Sequence, residues 1–201
     1  MDTQTIIVFA AIAITLGSIF HSLRLKSKHN DFADLLLDQI EQDLELRKTL
    51  AMGLYLRFAK GVDRNIPHGQ SFIKEEPDQF EHFVADIIEA KFGGDMFVSK
   101  ASGDYGVNFE NRREEGLYLG QALCTAEDVT YESVALIHSN MNKWGAVGGY
   151  VITTAGFTEK AINYADGLGI ELINGVELVT MWLETFEEDT AYLKNLSPSD
   201  I

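Results

Sequence analysis

The sequence predicts a three-layer α/β/α domain with a mixed sheet over residues 77–187, and three observations support that prediction. An amphipathic helix is indicated over Asp78–Phe92, where apolar residues recur at spacings of three and four. Three short strand-like segments follow it along the chain. Helical segments then alternate with strands, the first of which carries the β-branched run Val151–Thr154. That order puts helices on both faces of one sheet.

Local signals give each element its bounds. Pro77 suits the first turn of the opening helix, and Gly93 with Gly94 ends it. The predicted strands are Met96–Ser99, Val107–Glu110, Leu117–Cys124, Gly149–Thr154 and Glu171–Ile173. The later predicted helices are Thr130–Lys143, Thr158–Gly167 with Thr158 as its N-cap, and Gly175–Phe186. A tight turn is expected over Ala101–Gly106, and a polar hairpin loop over Arg112–Gly116.

A transmembrane helix is predicted over residues 5–23, after a short N-terminus of residues 1–4. Ile6–Phe20 is apolar and no charged residue stands between Asp2 and Arg24, so the stretch has about the 20 residues that a spanning helix needs. Basic residues follow the span and only Asp2 precedes it, which places the C-terminal side in the cytoplasm. A cleaved signal peptide and a buried core helix are competing interpretations, and the first lacks its positive leading region. We expect a single-pass protein of the cell (inner) membrane.

Residues 24–62 are predicted to be a helical spacer, with Asp31–Gly61 forming either one helix or two in series. Apolar residues recur there at helical spacing, and Gly61 is a stop signal. One interpretation is a solvated helix that packs on the following domain. The other is a self-associating stalk that makes a homo-oligomer. Residues 63–76 are predicted to be a linker, and residues 188–201 a C-terminal tail.

The charge of the chain counts against a nucleic-acid partner. Its formal net charge is −15, and the basic residues of the predicted domain are Lys91, Lys100, Arg112, Arg113, Lys143 and Lys160. A DNA-binding surface needs clustered Lys and Arg to displace counterions from phosphates. DNA is therefore a disfavoured partner, and a protein partner is the other interpretation. Cys124 is the sole cysteine, which excludes an intrachain disulfide and a cysteine-based zinc cluster.

Five motifs stand in order along the domain: FEHFVA from Phe80, SGDYGVN from Ser102, GQAL from Gly120, YVITTAGFTEKAINYA from Tyr150 and GIELINGVEL from Gly169. Together they resemble the Mrr-type catalytic domain of restriction endonucleases, a branch of the PD-(D/E)xK nuclease superfamily. The resemblance covers about half of the chain and is strongest at its two ends. It implies a restriction-endonuclease-like fold, phosphodiester hydrolysis as the activity and Mg²⁺ as the cofactor.

The resemblance implies a catalytic set, position by position. Glu81 matches the helix glutamate, and Asp104 matches the first aspartate of a G-D-x-G-x-D turn. Asn108 stands where the second aspartate, the usual metal ligand, belongs. Gln121 matches the glutamine of a Q-x-K motif, whose spacing of two puts both side chains on one face of a strand, and Leu123 stands where the lysine belongs. The implied Mg²⁺ ligands are therefore Asp104, Asn108 and Gln121.

The two departures leave two interpretations of the activity. An Asn108 amide offers Mg²⁺ an oxygen without a carboxylate charge, and Leu123 neither donates a hydrogen bond nor carries charge. The first interpretation is a catalytically degenerate module that binds DNA or protein in defence or DNA metabolism. The second is an active, type IV-like, Mg²⁺-dependent endonuclease that cleaves foreign or modified DNA. In the second, Glu110, two residues beyond Asn108 on a regular strand, and Lys100, just before the turn, supply the missing carboxylate and lysine.

Overall fold

The structure is a computed structural model of the chain, and it describes residues 42–59, 78–99 and 105–195 together with Thr15, Ser18, Gln39 and Ile40. Side chains are described as far as Thr185. The chain divides into two compact units, Met1–Asp43 and Leu44–Ile201. All of the elements named below belong to the second unit.

Two of the predicted segments fall largely outside the described residues. The transmembrane helix predicted over residues 5–23 has only Thr15 and Ser18 described, and the linker predicted over residues 63–76 has none. Within the part of the chain that the structure describes, no helix is long and apolar enough to cross a membrane.

The second unit is built from helices and strands in the predicted order. The helices are α1 (Leu44–Phe58), α2 (Asp78–Phe92), α3 (Tyr131–Trp144), α4 (Glu159–Ala165) and α5 (Gly175–Asn195). The strands are β1 (Asp95–Val98), β2 (Phe109–Arg113), β3 (Gly116–Leu123), β4 (Gly148–Thr153) and β5 (Ile170–Ile173). The strands form one sheet in the order β1-β2-β3-β4-β5. Its β1-β2 and β2-β3 pairs are antiparallel and its β3-β4 and β4-β5 pairs are parallel, which confirms the prediction of a mixed sheet.

Alternate residues of β4 show that helices cover both faces of the sheet. The Tyr150 ring stacks on Phe92 of α2, with ring centroids 5.7 Å apart. Its neighbour Val151 lies in the apolar cluster of Ile137 and Val134, both on α3. Because successive side chains of a strand point to opposite faces, α2 and α3 lie on opposite sides of the sheet. This is the predicted three-layer arrangement.

Helix α1 lies within the predicted spacer and packs on the domain. Its Arg47 Nη1 donates to Thr180 Oγ1 of α5 at 3.0 Å. At its other end Phe58, with 0 % of its surface exposed, lies 5.4 Å from the ring centroids of both Phe80 and Phe83. Through these contacts α1 packs on the following domain, which is the first of the two interpretations of the spacer.

Several predicted boundaries are wrong, among them the start of β2, which lies at Phe109 rather than at Val107. The polar loop predicted over Arg112–Gly116 is shorter, because β2 continues to Arg113. The Arg113 guanidinium lies over the ring of Tyr118, 4.5 Å from its centroid, so a residue that looks like a loop residue is held in the sheet by a cation–π contact. In addition α5 runs to Asn195 rather than ending at Phe186, so part of the predicted C-terminal tail is helical.

Candidate functional site

The backbone at Asn108 departs from a regular strand. The ladder pairs Phe109 with Gly120, while the Asn108 N–H also donates to Gly120 O at 2.8 Å. Two residues of one strand therefore oppose a single residue of the next, as in a β-bulge. Gly120 permits this approach because the Phe109 ring occupies the space that any Cβ at position 120 would need. The bulge fixes the direction of the Asn108 side chain.

The Asn108 amide joins helix α2 to strand β3. Its Nδ2 donates to Glu81 Oε1 at 2.7 Å, and its Oδ1 accepts the N–H of Ala122 at 2.8 Å. Glu81 lies near the start of α2, and Ala122 lies near the end of β3. The structure thus brings together two of the predicted site residues, Glu81 and Asn108, through a charge-assisted hydrogen bond.

Gln121 and Leu123 lie on the face of β3 that packs on α3. Leu123 is packed against the cluster that contains Leu119 and Ile137, and Gln121 stands between Leu119 and Leu123 at a spacing of two, which places it on the same face. Gln121 is 8 % exposed. Its Oε1 is buried with no hydrogen-bond partner among the described residues. Most buried polar atoms are paired, so Gln121 Oε1 is an acceptor that a ligand would satisfy.

A pocket of about 410 Å³ opens at the end of β3, and Glu81 and Leu123 both line it. Helix α1 forms its other wall with Tyr55 and Phe58. The neighbouring Cys124 Sγ donates to Tyr55 O at 3.7 Å, and burial raises the pKa of the Cys124 thiol. A thiol whose pKa is raised stays protonated at neutral pH, so Cys124 is not an activated nucleophile.

The other predicted site residues do not join Glu81 in the described contacts. Asp104 and Lys100 lie outside the described residues. Glu110 Oε2 forms an ion pair with Arg112 Nη2 at 3.0 Å and lines a separate cleft beside Phe97. The expectation that Glu110 faces the same way as Asn108 assumed a regular strand, and the bulge at Asn108 displaces that alternation by one residue.

The described side chains fit Mg²⁺ poorly. Hard divalent cations prefer several carboxylate oxygens, but no group of three or more His, Cys, Asp and Glu side chains among the described residues lies close enough to hold a metal. Among the described residues, Glu81 is the carboxylate that lies beside Asn108, and it accepts an N–H from the Asn108 amide. The Asn108 oxygen already accepts the Ala122 N–H. Gln121 Oε1 has no hydrogen-bond partner among the described residues, and one neutral oxygen is a weak ligand.

One structural contact was not foreseen from the sequence. Asn108 was predicted as a weakened metal ligand, whereas in the structure its Nδ2 faces the Glu81 carboxylate as a hydrogen-bond donor. The available signal was chemical: an amide, unlike a carboxylate, carries N–H donors. A donor placed beside a carboxylate makes a hydrogen bond where two carboxylates would need a cation between them.

Comparisons with known proteins agree with this fold. A family model described as a restriction endonuclease, of the Mrr catalytic type, matches residues 73–182. The chain is similar in structure to the DNA modification-dependent restriction endonuclease AspBHI, with a TM-score of 0.52 and 14 % sequence identity, over 74 % of this chain and 38 % of that one. It is also similar to the MspJI restriction endonuclease solved in complex with a 27-mer oligonucleotide, with a TM-score of 0.49 and 19 % identity. That match covers 75 % of this chain and 35 % of the other.

The likeness to AspBHI concerns the fold alone, because the sequence identity is low. The chain spans less than two fifths of the length of either endonuclease. No curated protein matches the chain.

Proposed function

Because the chain belongs to the Mrr-type family of restriction endonucleases, we propose that it is a membrane-anchored member that has lost phosphodiester cleavage and keeps the fold as a binding module. The module recognises DNA or a protein partner in defence or DNA metabolism. Its family membership rests on a match over residues 73–182. The loss of cleavage rests on the contacts of Asn108 and Leu123.

The observation that carries this proposal is the hydrogen bond from Asn108 Nδ2 to Glu81 Oε1 at 2.7 Å. An amide nitrogen donates and cannot coordinate a cation, so Asn108 presents its donor to a carboxylate that would otherwise be available to Mg²⁺. The amide oxygen is held by the Ala122 N–H. Turning the amide to offer its oxygen to a metal would break both hydrogen bonds and leave the Ala122 N–H without this acceptor.

Leu123 stands where the lysine of the family motif belongs, so the positive charge of that lysine is absent. The position carries no cation that would stabilise charge developing on a phosphate, and removal of one such electrostatic group typically costs about two to three orders of magnitude in rate. The Leu123 side chain is instead packed against the apolar cluster of Leu119 and Ile137. Its role in the folded chain is therefore that of a packing residue.

The membrane anchor is the apolar segment Ile6–Phe20, with the basic residues that follow it. An anchor of this kind keeps the domain at the cytoplasmic face of the cell membrane and raises its local concentration there. Membrane fractions washed at high pH should retain the full chain. Release of the chain into the wash would contradict the anchor and leave the account of the domain unchanged.

An active endonuclease with a displaced site is the second candidate, and one observation favours it. Gln121 Oε1 is buried without a hydrogen-bond partner among the described residues, so it is an oxygen that Mg²⁺ would satisfy. In that candidate Glu81, Asp104 and Gln121 share the catalytic work with Lys100, which replaces the missing lysine, and with Glu110 as the displaced carboxylate. The ion pair of Glu110 with Arg112 would have to break for this role.

The test is cleavage of supercoiled plasmid DNA and of single-stranded DNA by the purified full chain, with Mg²⁺ and with Mn²⁺. We expect no cleavage by the natural sequence. Cleavage that is lost in Glu81→Ala, and retained in the control Glu89→Ala on the exposed side of the same helix, would establish the displaced site and overturn the proposal.

A further inference from the structure

An exposed aromatic face lies at the β1 edge of the sheet. It consists of Phe97, Tyr105 and Trp144, which are 52 %, 67 % and 38 % exposed. Two cations lie on these rings: Arg112 Cζ is 5.0 Å from the Phe97 centroid, and Lys143 Nζ is 4.1 Å from the Tyr105 centroid. Exposed aromatic side chains grouped with cations are typical of binding surfaces rather than of ordinary protein surface.

The three rings belong to one continuous surface. A cleft of about 230 Å³ opens between Phe97 and Trp144, and Arg112 lines it as well. Lys143 precedes Trp144 at the end of α3 and reaches the Tyr105 ring. The face therefore runs from Tyr105 past Lys143 and Trp144 to Phe97 and Arg112.

The Tyr105 backbone is strained in a way that core packing does not explain. Its φ is 50°, and it is the one non-glycine residue with positive φ among the described residues. The side chain of Asn140, which is 4 % exposed, fixes this conformation by donating Nδ2 to Tyr105 O at 3.1 Å. A buried amide thus holds an unfavourable backbone that displays a ring to solvent. Strain of this kind collects at functional sites.

We propose that the aromatic face binds single-stranded nucleic acid, with unpaired bases stacked on Phe97, Tyr105 and Trp144 and with phosphates paired to Lys143 and Arg112. This inference rests on the proposed function, because it names the nucleic-acid form that the non-catalytic domain recognises. Base–aromatic stacking tolerates any sequence, since every base has a π-face. The cleft between Phe97 and Trp144 accepts a base from the strand.

The charge of the chain favours a single strand over a duplex. Binding to a duplex draws most of its affinity from many phosphate contacts, and a chain with a net charge of −15 opposes them. Stacking of bases on aromatic rings is a short-range interaction that adds affinity beside the phosphate contacts, and each phosphate contact contributes less salt dependence on a single strand than on a duplex. Arg112 remains able to contact a phosphate although it pairs with Glu110, because a guanidinium has five N–H donors.

The experiment is a titration of the full chain with oligo(dT), followed by tryptophan fluorescence and by anisotropy of a labelled strand. The chain has two tryptophans, and Trp182 packs edge-on against Phe83, away from the aromatic face. We expect quenching in the natural sequence and in Trp182→Phe. In Trp144→Phe the quenching should be lost.

Substitutions separate stacking from phosphate pairing. Phe97→Ala should weaken binding by roughly 5- to 150-fold, which is the usual effect of removing one stacked base contact. The matched control is Tyr131→Ala, since Tyr131 is also exposed and its ring contacts that of Tyr164 on another part of the surface. Lys143→Ala should flatten the slope of log affinity against log salt by about 0.7, the contribution of one phosphate on a single strand.

The outcomes are distinct. Binding of oligo(dT) that Phe97→Ala and Trp144→Ala leave unchanged, by anisotropy, would overturn the assignment of the face, while DNA binding by the domain would stand. Preference for a duplex over oligo(dT) would also overturn it. Failure to bind either form would overturn both this inference and the DNA arm of the proposed function.

Discussion

Asn108 donates its Nδ2 hydrogen to Glu81 Oε1 at 2.7 Å, and this hydrogen bond joins helix α2 to the residue that precedes strand β2. Under the proposed function, this hydrogen bond pairs positions 81 and 108 directly, without a cation between them. A carboxylate at position 108 would repel Glu81 unless a metal lay between them. An amide at position 108 needs no metal. Its oxygen accepts a hydrogen bond from the backbone N–H of Ala122.

Glu81→Ala should lower the stability of the chain, in contrast to the usual effect of removing a catalytic carboxylate. Catalytic groups are commonly held at a cost to stability, whereas loss of the Glu81 acceptor leaves the Asn108 Nδ2 without this partner. We expect a loss of about 1–3 kcal/mol in the free energy of unfolding, measured by urea denaturation. Glu81→Gln keeps an acceptor oxygen and should lose less, and Glu89→Ala should change little. If Glu81→Ala were as stable as the natural sequence or more stable, the hydrogen bond between Asn108 and Glu81 would not be stabilising.

Leu123→Ala should destabilise the domain by about 2 kcal/mol, the lower end of the range for apolar truncations, because Leu123 is only partly buried. The physical cause is the loss of packing against Leu119 and Ile137. The matched control is Leu56→Ala, since Leu56 is 48 % exposed on α1 and should change the free energy of unfolding by less than about 0.5 kcal/mol. Equal effects of the two substitutions would show that Leu123 does not act as a packing residue.

Two glycine substitutions should have opposite effects on the melting temperature. Gly120→Ala places a methyl group where the Phe109 ring already lies, so it should destabilise by about 1–3 kcal/mol. Gly53 is in the middle of α1 and nothing lies within 4 Å of a Cβ built there. Gly53→Ala should therefore stabilise by about 0.5–1 kcal/mol through helix propensity. A stabilising Gly120→Ala would contradict the close approach at the bulge.

The stability of the chain should fall at high pH because of Tyr150. Burial raises the pKa of Tyr150 to about 12, against the opposing effect of the Arg113 guanidinium. An unfolded tyrosine ionises near pH 10, so the unfolded state loses this proton first. The stabilisation is complete below about pH 10 and is lost as the pH rises towards about 12. Melting curves over this range should show a smaller decline in Tyr150→Phe than in the control Tyr131→Phe, and equal declines would refute the assignment to Tyr150.

Labelling of Cys124 should report the docking of α1. The thiol contacts the backbone of Tyr55, and the helix is held in place by Phe58 against Phe80 and Phe83. Phe58→Ala should loosen α1 and accelerate the reaction of Cys124 with a thiol reagent at neutral pH. Leu56→Ala, on the exposed side of the same helix, should leave the rate unchanged. An unchanged rate in Phe58→Ala would mean that α1 does not cover Cys124 through this contact.

Much of the fold follows from the sequence because local and tertiary preferences agree. The period of the apolar residues predicts Asp78–Phe92, which is the helix observed. Thr158 caps α4 as predicted, since its side chain accepts the Ala161 N–H at 3.2 Å. The sequence predicts a loop at Arg113 because the residue is polar. Polarity alone does not reveal that its guanidinium lies over three aromatic rings from distant segments.

The site residues were less accessible to prediction. The resemblance to the nuclease family selected Glu81 and Asn108, and the structure brings these two together. The position of Glu110 depended on the assumption of a regular strand, and a single bulge at Asn108 overrides it. Bulges arise from the pairing of two strands rather than from the residues of either one, so the sequence held no signal for this one. The aromatic face could not be predicted either, because its rings come from three separate segments that only the tertiary structure brings together.

The most direct measurement is Mn²⁺ binding to the full chain by titration calorimetry, compared among the natural sequence, Glu81→Ala, Asn108→Asp, and Asn108→Asp combined with Glu81→Ala. If the Asn108 amide closes the metal position by bonding to Glu81, the natural sequence binds no Mn²⁺ at this site. Asn108→Asp then gains a site, and Glu81→Ala removes it again. Binding by the natural sequence that is lost in Glu81→Ala alone would contradict the account and show that the metal site survives.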